Sequence, residues 1–151
     1  MQQNLARKNL EKRLAPLREA DFTPPPRGWL RAIREALGMT GKQLGERMGV
    51  VQSRIATLER AEVTGKTTLS SLREAAEAMG CRLVYAIVPV RPMGDMLHDR
   101  AAALADEALA RVHHTMRLEN QALDAEALAS ERTRLIQQLI QGNPRRLWEQ
   151  P

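Results

Sequence analysis

Between Trp29 and Gly80, single glycines cut the chain into short pieces, each with its own helical spacing of apolar residues. Trp29, Ile33 and Leu37 recur at i, i+4 and i+8, and Gly38 follows as the residue that ends a helix in the left-handed conformation. Thr40 is a good N-cap for a second piece, which carries Leu44 and Met48 and stops at Gly49. A third runs from about Gln52 to Arg60 with Ile55 and Leu58 inward. Thr67 or Thr68 caps a fourth, with Leu69, Leu72, Ala75, Ala76 and Met79 as its apolar face and Gly80 as its stop. Helices this short hold together only by packing on one another. The spacing therefore predicts a small helical domain over residues 24–80.

The flanks read differently. Leu5, Leu10, Leu14 and Leu17 form a loose apolar stripe, which predicts an amphipathic helix over about 3–19 within an N-terminal arm, residues 1–23. Pro24, Pro25 and Pro26 then separate arm from domain. Arg82 to Val90 reads RLVYAIVPV, dense in β-branched and aromatic residues, and predicts a strand within residues 81–91. One strand cannot satisfy its own backbone, so it must pair with another copy or another protein. Pro89 suits the end of a short edge.

Residues 92–151 form a helical extension. Leu97, Ala101, Leu104, Ala108, Val112 and Met116 recur at threes and fours, and Asp95 and Asp99 favour the start of a helix. Helices are expected over about 93–120 and 124–141, stopped by Gly142, Asn143 and Pro144. The tail that follows is expected to fray, or to dock on a partner through Trp148.

The 151 residues carry a formal net charge of +5, unevenly spread. Residues 1–91 hold 16 Lys+Arg against 9 Asp+Glu, and residues 92–151 hold 7 against 9. The basic half suits a polyanion. Aromatics make up only 3% of the chain, too few for a platform that stacks single-stranded bases. The expected polyanion is nucleic acid or an acidic surface. No apolar run is long enough to span a membrane, and the polar N-terminus does not read as a signal peptide, so a cytoplasmic location is expected.

Residues 38–59, GMTGKQLGERMGVVQSRIATLE, carry the chemistry. Two short helices that cross steeply need a small residue at their approach, and Gly45 supplies it. The turn between them needs a residue tolerant of positive φ, and Gly49 supplies that. Val50, Ile55 and Leu58 pin the second helix inward, which leaves Gln52, Ser53, Arg54 and Thr57 on its outer face. A recognition helix presents side chains to a duplex from such a face. Gln pairs bidentately with adenine and Arg with guanine, so Gln52 and Arg54 are assigned to bases. Ser53 and Thr57 are assigned with them, to bases or phosphates.

This segment resembles the Xre, or λ-repressor-like, helix-turn-helix family. The family pattern runs Leu-Thr-Gln, Leu-Ala, Gly-Val-Ser-Gln-Ser, Ile-Ser and Glu. The matching residues here are Met39-Thr40, Leu44-Gly45, Gly49-Val50, Gln52-Ser53, Ile55 and Glu59. Gly41 stands where the family usually has a Gln that helps to clamp a phosphate, and Val51 replaces the usual polar cap of the recognition helix. The clamp then falls to Lys42 or Gln43, beside Thr40. The run from VVQSRIATLERAE through TLSSLREAAEAMGCRLVYAIVPV is similar to the family known as mobile mystery protein A. That resemblance implies a gene neighbour with a Fic domain, an enzyme fold that transfers AMP from ATP to hydroxyl groups, and hence an antitoxin-like role. Fic enzymes are often silenced by a helix bearing Ser/Thr-x-x-x-Glu-Gly/Asn, and Thr115, Glu119 and Asn120 match that pattern. Thr and Glu at i, i+4 share one helix face, and a carboxylate pairs strongly with a buried Arg.

His98, His113 and His114 are not expected to bind metal, because adjacent histidines point to different helix faces. Cys81 is alone, so neither an intrachain disulfide nor a thiolate zinc site is available to it. No nucleophile–base pair, phosphate loop or carboxylate dyad is legible, and neither catalysis nor a cofactor is expected. The expected fold is mainly α: a λ-repressor-like helix-turn-helix domain, one strand paired across a homodimer, and a C-terminal helical extension that binds a partner. Two recognition helices roughly 34 Å apart would read a palindromic operator. The expected function is an antitoxin that represses its own operon and inhibits a Fic-domain protein, with a plain dimeric repressor as the alternative.

Overall fold

The structure, a computed structural model, describes residues 2–118 and 124–150. Among these residues it contains seven α-helices and one 3-10 helix: α1 (Gln2–Glu19), α2 (Trp29–Ala36), α3 (Gly41–Met48), α4 (Gln52–Thr64), α5 (Leu69–Ala78), α6 (Met93–Leu118), α7 (Ala125–Gln141) and a 3-10 turn at Pro144–Trp148. The chain divides into two compact units. One is Asp21–Ile87, and the other joins Met1–Ala20 to Val88–Pro151.

In the unit Asp21–Ile87, Leu30, Leu44, Ile55, Ala75 and Met79 form the buried core, with Ile33, Met48, Val50, Leu58 and Leu72 packed around it. The expected stops hold: Gly38, Gly49 and Gly80 all take positive φ. The inward face of α2 differs from the expected stripe. Trp29 and Leu37 are about half exposed, and Leu30 is the buried residue. A shift of one residue turns a helix face by about 100°. The sequence offers apolar residues on both sides of that shift, and packing against α4 and α5 selects Leu30 with Ile33. On α5, Thr68 rather than Thr67 is the cap, its side chain accepting from the Ser71 N–H, and Leu69 remains exposed. Helix α4 runs past the expected Arg60 to Thr64, and Gly65 closes it with a φ of 73°.

Residues 82–90 carry no regular secondary structure, and the expected strand is not formed within the chain. The reason is the one that made it conspicuous: a strand needs a partner backbone, and no other segment among the described residues provides one. Val84, Tyr85, Ile87 and Val90 are left exposed.

In the second unit, α6 and α7 pack through small residues. Ala101, Ala102 and Ala105 of α6 are buried with Ile136 and Leu147. Asp124 caps α7 by accepting from the Ala127 N–H. The tail does not fray, and within this chain Leu147 holds it. Leu147 is fully buried while Trp148 is half exposed. The Arg100 guanidinium donates to the Leu147 carbonyl at 2.6 Å. Helix α1 belongs to this unit and is fastened by two side chains. One Glu11 oxygen accepts from the backbone N–H of Met93, the first residue of α6, at 3.0 Å. Arg18 donates to the Pro89 carbonyl at 2.9 Å and also pairs with Glu11. A carboxylate on the first N–H of a helix meets both an unpaired donor and the positive end of the dipole. The Met93 N–H, and then Arg18, hold the Glu11 carboxyl below the usual carboxylate range.

Candidate nucleic-acid interface

The turn between α3 and α4 sets the geometry of the site. A Cβ on Gly45 would lie 2.6 Å from the Val50 carbonyl oxygen, so only glycine allows this approach. The Val50 N–H in turn donates to the Gly45 carbonyl at 2.8 Å. Gly49, at a φ of 71°, reverses the chain between them. Both glycine roles read from the sequence are therefore met.

Helix α4 then presents its outer face. Gln52, Ser53, Arg54 and Thr57 are all exposed, while Ile55 is buried and Leu58 half-buried. Among the described residues, the side chains of Gln52 and Arg54 have no hydrogen-bond or ion-pair partner, so their donors are open to a ligand. Thr57 is less free. Its hydroxyl donates to the Ser53 carbonyl at 3.0 Å, which uses the one proton that could reach a phosphate oxygen. Val51 occupies the N-cap position of α4 without a side-chain hydrogen bond, as its apolar side chain requires.

The start of α3 divides the expected clamp residues. Thr40 and Gln43 form a capping box: the Gln43 N–H donates to the Thr40 hydroxyl at 3.1 Å, and the Thr40 N–H donates to the Gln43 side-chain oxygen at 2.9 Å. These side chains already serve the helix end, although the Gln43 amide still has N–H donors to offer. Lys42 is exposed and makes no ion pair among the described residues. Gly41 leaves a shallow cleft bordered by Arg31, Met39, Thr40 and Gln52. A Cβ at Gly41 would meet Gln52 Cγ at an ordinary 3.6 Å, so the cleft has room for a side chain.

Two acidic residues hold this frame, and the sequence reading assigned neither a structural task. Glu59 is buried on α4 and takes a bidentate pair from Arg34 of α2, at 2.6 and 3.2 Å. Arg34 also donates to the Met39 carbonyl at 2.9 Å, which ties the α2–α3 connection to the pair. The Glu59 carboxylate raises the Arg34 pKa further above its ordinary value. One turn later, Glu62 accepts from the N–H groups of Trp29 and Leu30 at 2.7 and 2.9 Å, capping α2 from outside. Gly28, at a φ of 88°, makes room for it, since a Cβ there would lie 2.9 Å from the Glu62 carboxyl carbon. A signal was available in the sequence. Glu59 lies four residues after Ile55, on the apolar face of α4, where a charge needs a buried partner.

The unit Asp21–Ile87 holds ten Lys+Arg and seven Asp+Glu, a surplus of three. Much of the basic excess in the first 91 residues therefore belongs to α1, in the other unit. Thr115, on the last turns of α6, is exposed and its hydroxyl donates to the Arg111 carbonyl. Glu119 and Asn120, expected beside it, lie outside the described residues. Among the described residues no group of three or more His, Cys, Asp or Glu side chains could hold a metal ion. No helix there is long and apolar enough to cross a membrane.

Residues 30–85 match the helix-turn-helix family model. No curated protein and no solved structure matches the chain. The match begins on α2, spans the Gly45–Val50 turn and the exposed face of α4, and ends beyond α5. Over residues 30–85, 56 of the 151 residues, the chain is therefore similar to the helix-turn-helix family.

Proposed function

We propose that this chain is a non-catalytic, sequence-specific DNA-binding regulator that works as a homodimer. The observation that carries the reading is the outer face of α4, where Gln52 and Arg54 are exposed and uncommitted on a helix aimed by the Gly45–Val50 turn. In this reading Gln52 and Arg54 contact base edges, and Ser53 and Lys42 contact phosphates. Thr40 and Gln43 line the same edge and act chiefly by holding the start of α3. Thr57 joins the contact only if its hydroxyl gives up the Ser53 carbonyl.

The second copy is supported by residues 82–90. Val84, Ile87 and Val90 are exposed apolar side chains on a segment of high strand propensity. Pairing of this segment with its twin satisfies both backbones and places two recognition helices on one operator. Ile87→Lys in the full chain should convert a dimer to a monomer in sedimentation; a dimer that persists rules out this interface.

For DNA binding, a pool of randomised duplexes selected on the full chain supplies the probe. If about six phosphates are contacted, log K should fall with log salt at a slope near −5. Arg54→Ala should cost roughly 1–3 kcal/mol and relax one base position. Unchanged selection by this variant defeats the placement of the recognition helix.

A second role as an antitoxin is supported by the sequence alone, through the Thr115, Glu119 and Asn120 pattern and the resemblance to the family known as mobile mystery protein A. It is tested by co-expression with the product of the adjacent gene. A silent complex that gains AMP-transfer activity on Glu119→Gly supports the role, and absence of a complex leaves the repressor reading alone.

A further inference from the structure

We propose that the outward face of α1 is a second phosphate-binding surface, adding sequence-independent backbone contacts to DNA beside those of the helix-turn-helix domain. The proposal rests on the DNA-binding reading above. Helix α1 has one face engaged: Glu11 and Arg18 fasten it to Met93 and Pro89, and Leu14 and Leu17 are half-buried. Away from that face Lys8, Lys12 and Arg13 are exposed, Lys8 and Lys12 on one side and Arg13 about 140° round the helix from Lys8.

These three cations have no acidic partner among the described residues. Helix α1 has only two acids, and Glu11 is turned onto the α6 terminus. Lys8 and Lys12 are one turn apart, a like-charge arrangement that disfavours the helix until an anion lies over it. The charge complements a polyanion, and the form of the face selects which one. Leu5 and Leu10 are exposed, but at five residues apart they point to well-separated sides of the helix. They make no continuous apolar stripe of the kind that enters a bilayer.

The test uses the full chain carrying Lys8→Gln, Lys12→Gln and Arg13→Gln together, with Lys12→Gln alone as a milder variant. Gln keeps helix propensity and removes the charge. The probe is a mixed-sequence duplex titrated across a salt series. Each lost phosphate contact should flatten the log K–log salt slope by about 0.9, so the triple variant should lose about 2 to 3 and the single variant about 1. The ranking of duplex sequences should not change, and circular dichroism should report unchanged helix content. Arg54→Ala is run in parallel. An unaltered slope in the triple variant, with sequence ranking altered by Arg54→Ala, overturns the α1 surface and leaves the domain reading intact. A flattened slope with ranking untouched by Arg54→Ala keeps the α1 surface and overturns the domain reading. Binding to phosphatidylserine-containing vesicles that the triple variant alone loses, with its DNA slope unaltered, assigns the face to a membrane and overturns the proposal.

Discussion

The two units of this chain are both helical, yet different things hold them. The unit Asp21–Ile87 is specified by single groups that have no substitute. Gly45 permits one backbone approach, the Arg34–Glu59 pair joins α2 to α4, and Glu62 caps α2 over Gly28. Between these ties lies a core of large side chains, with Leu44 and Ile55 each 1% exposed. The second unit has a core of alanines from α6 set against Ile136 and Leu147. Its alanines let helices approach closely but specify little else. In the DNA-binding reading proposed above the unit must hold a recognition helix at one angle, and directional contacts do that better than general apolar packing.

That contrast can be broken experimentally, and the largest effect is expected in the first unit. Glu59→Ala strands the Arg34 guanidinium, which is 12% exposed, beside an apolar core. Removing one partner of a buried pair costs about 3–5 kcal/mol. Urea denaturation should show this loss for Asp21–Ile87 and leave the α6–α7 transition in place. A loss below about 1 kcal/mol means that water reaches Arg34 and the pair is not a tie.

The second unit should be sensitive to added volume instead. Ala101 is fully buried, so Ala101→Leu forces α6 and α7 apart at a cost of about 1–3 kcal/mol. The denaturation transition of the unit Asp21–Ile87 should be untouched. A neutral outcome shows that the α6–α7 contact is loose enough to repack. A smaller effect is expected from Glu62→Gln, which keeps a hydrogen-bonding oxygen but removes the charge at the start of α2. A loss of about 1 kcal/mol in thermal denaturation is expected. A fall several times larger makes this carboxylate as central as Glu59.

The last prediction concerns pH and the seating of α1. The Met93 N–H and Arg18 lower the Glu11 pKa in the folded state. The stability this contributes is fully present above the unfolded glutamate value, about 4.3, and is lost as pH falls through the lower folded value. Wild type and Glu11→Gln should therefore differ in denaturation near neutral pH and converge in acid. Parallel curves from pH 7 down to pH 3, the low end being about one unit below the reference value, discount the Glu11 contact.

Much of the first unit was legible residue by residue. The helix ends at Gly38, Gly49 and Gly80, the close approach at Gly45 and the open face of α4 each follow from a local steric or periodic rule, and each is met. What was not legible depends on partners distant in sequence. Leu30 rather than Trp29 faces inward because α4 and α5 choose among apolar residues that α2 alone cannot rank. Residues 82–90 have the propensity of a strand, and within one chain no second backbone among the described residues meets them.

By itself, then, the sequence determined where α2, α3 and α5 stop and which face of α4 is offered outward. Those outcomes rest on φ, caps and periodicity, all set within a few residues. Tertiary structure alone decided that Glu59 and Glu62 join α4 to α2, that Leu147 rather than Trp148 seats the tail, and that α1 joins the C-terminal unit. Each of these couples residues 25 or more apart in the chain or depends on which of two neighbours finds a cavity. Helix periodicity carries no information about such pairs, because a charged or apolar side chain looks the same in sequence whether or not its partner arrives.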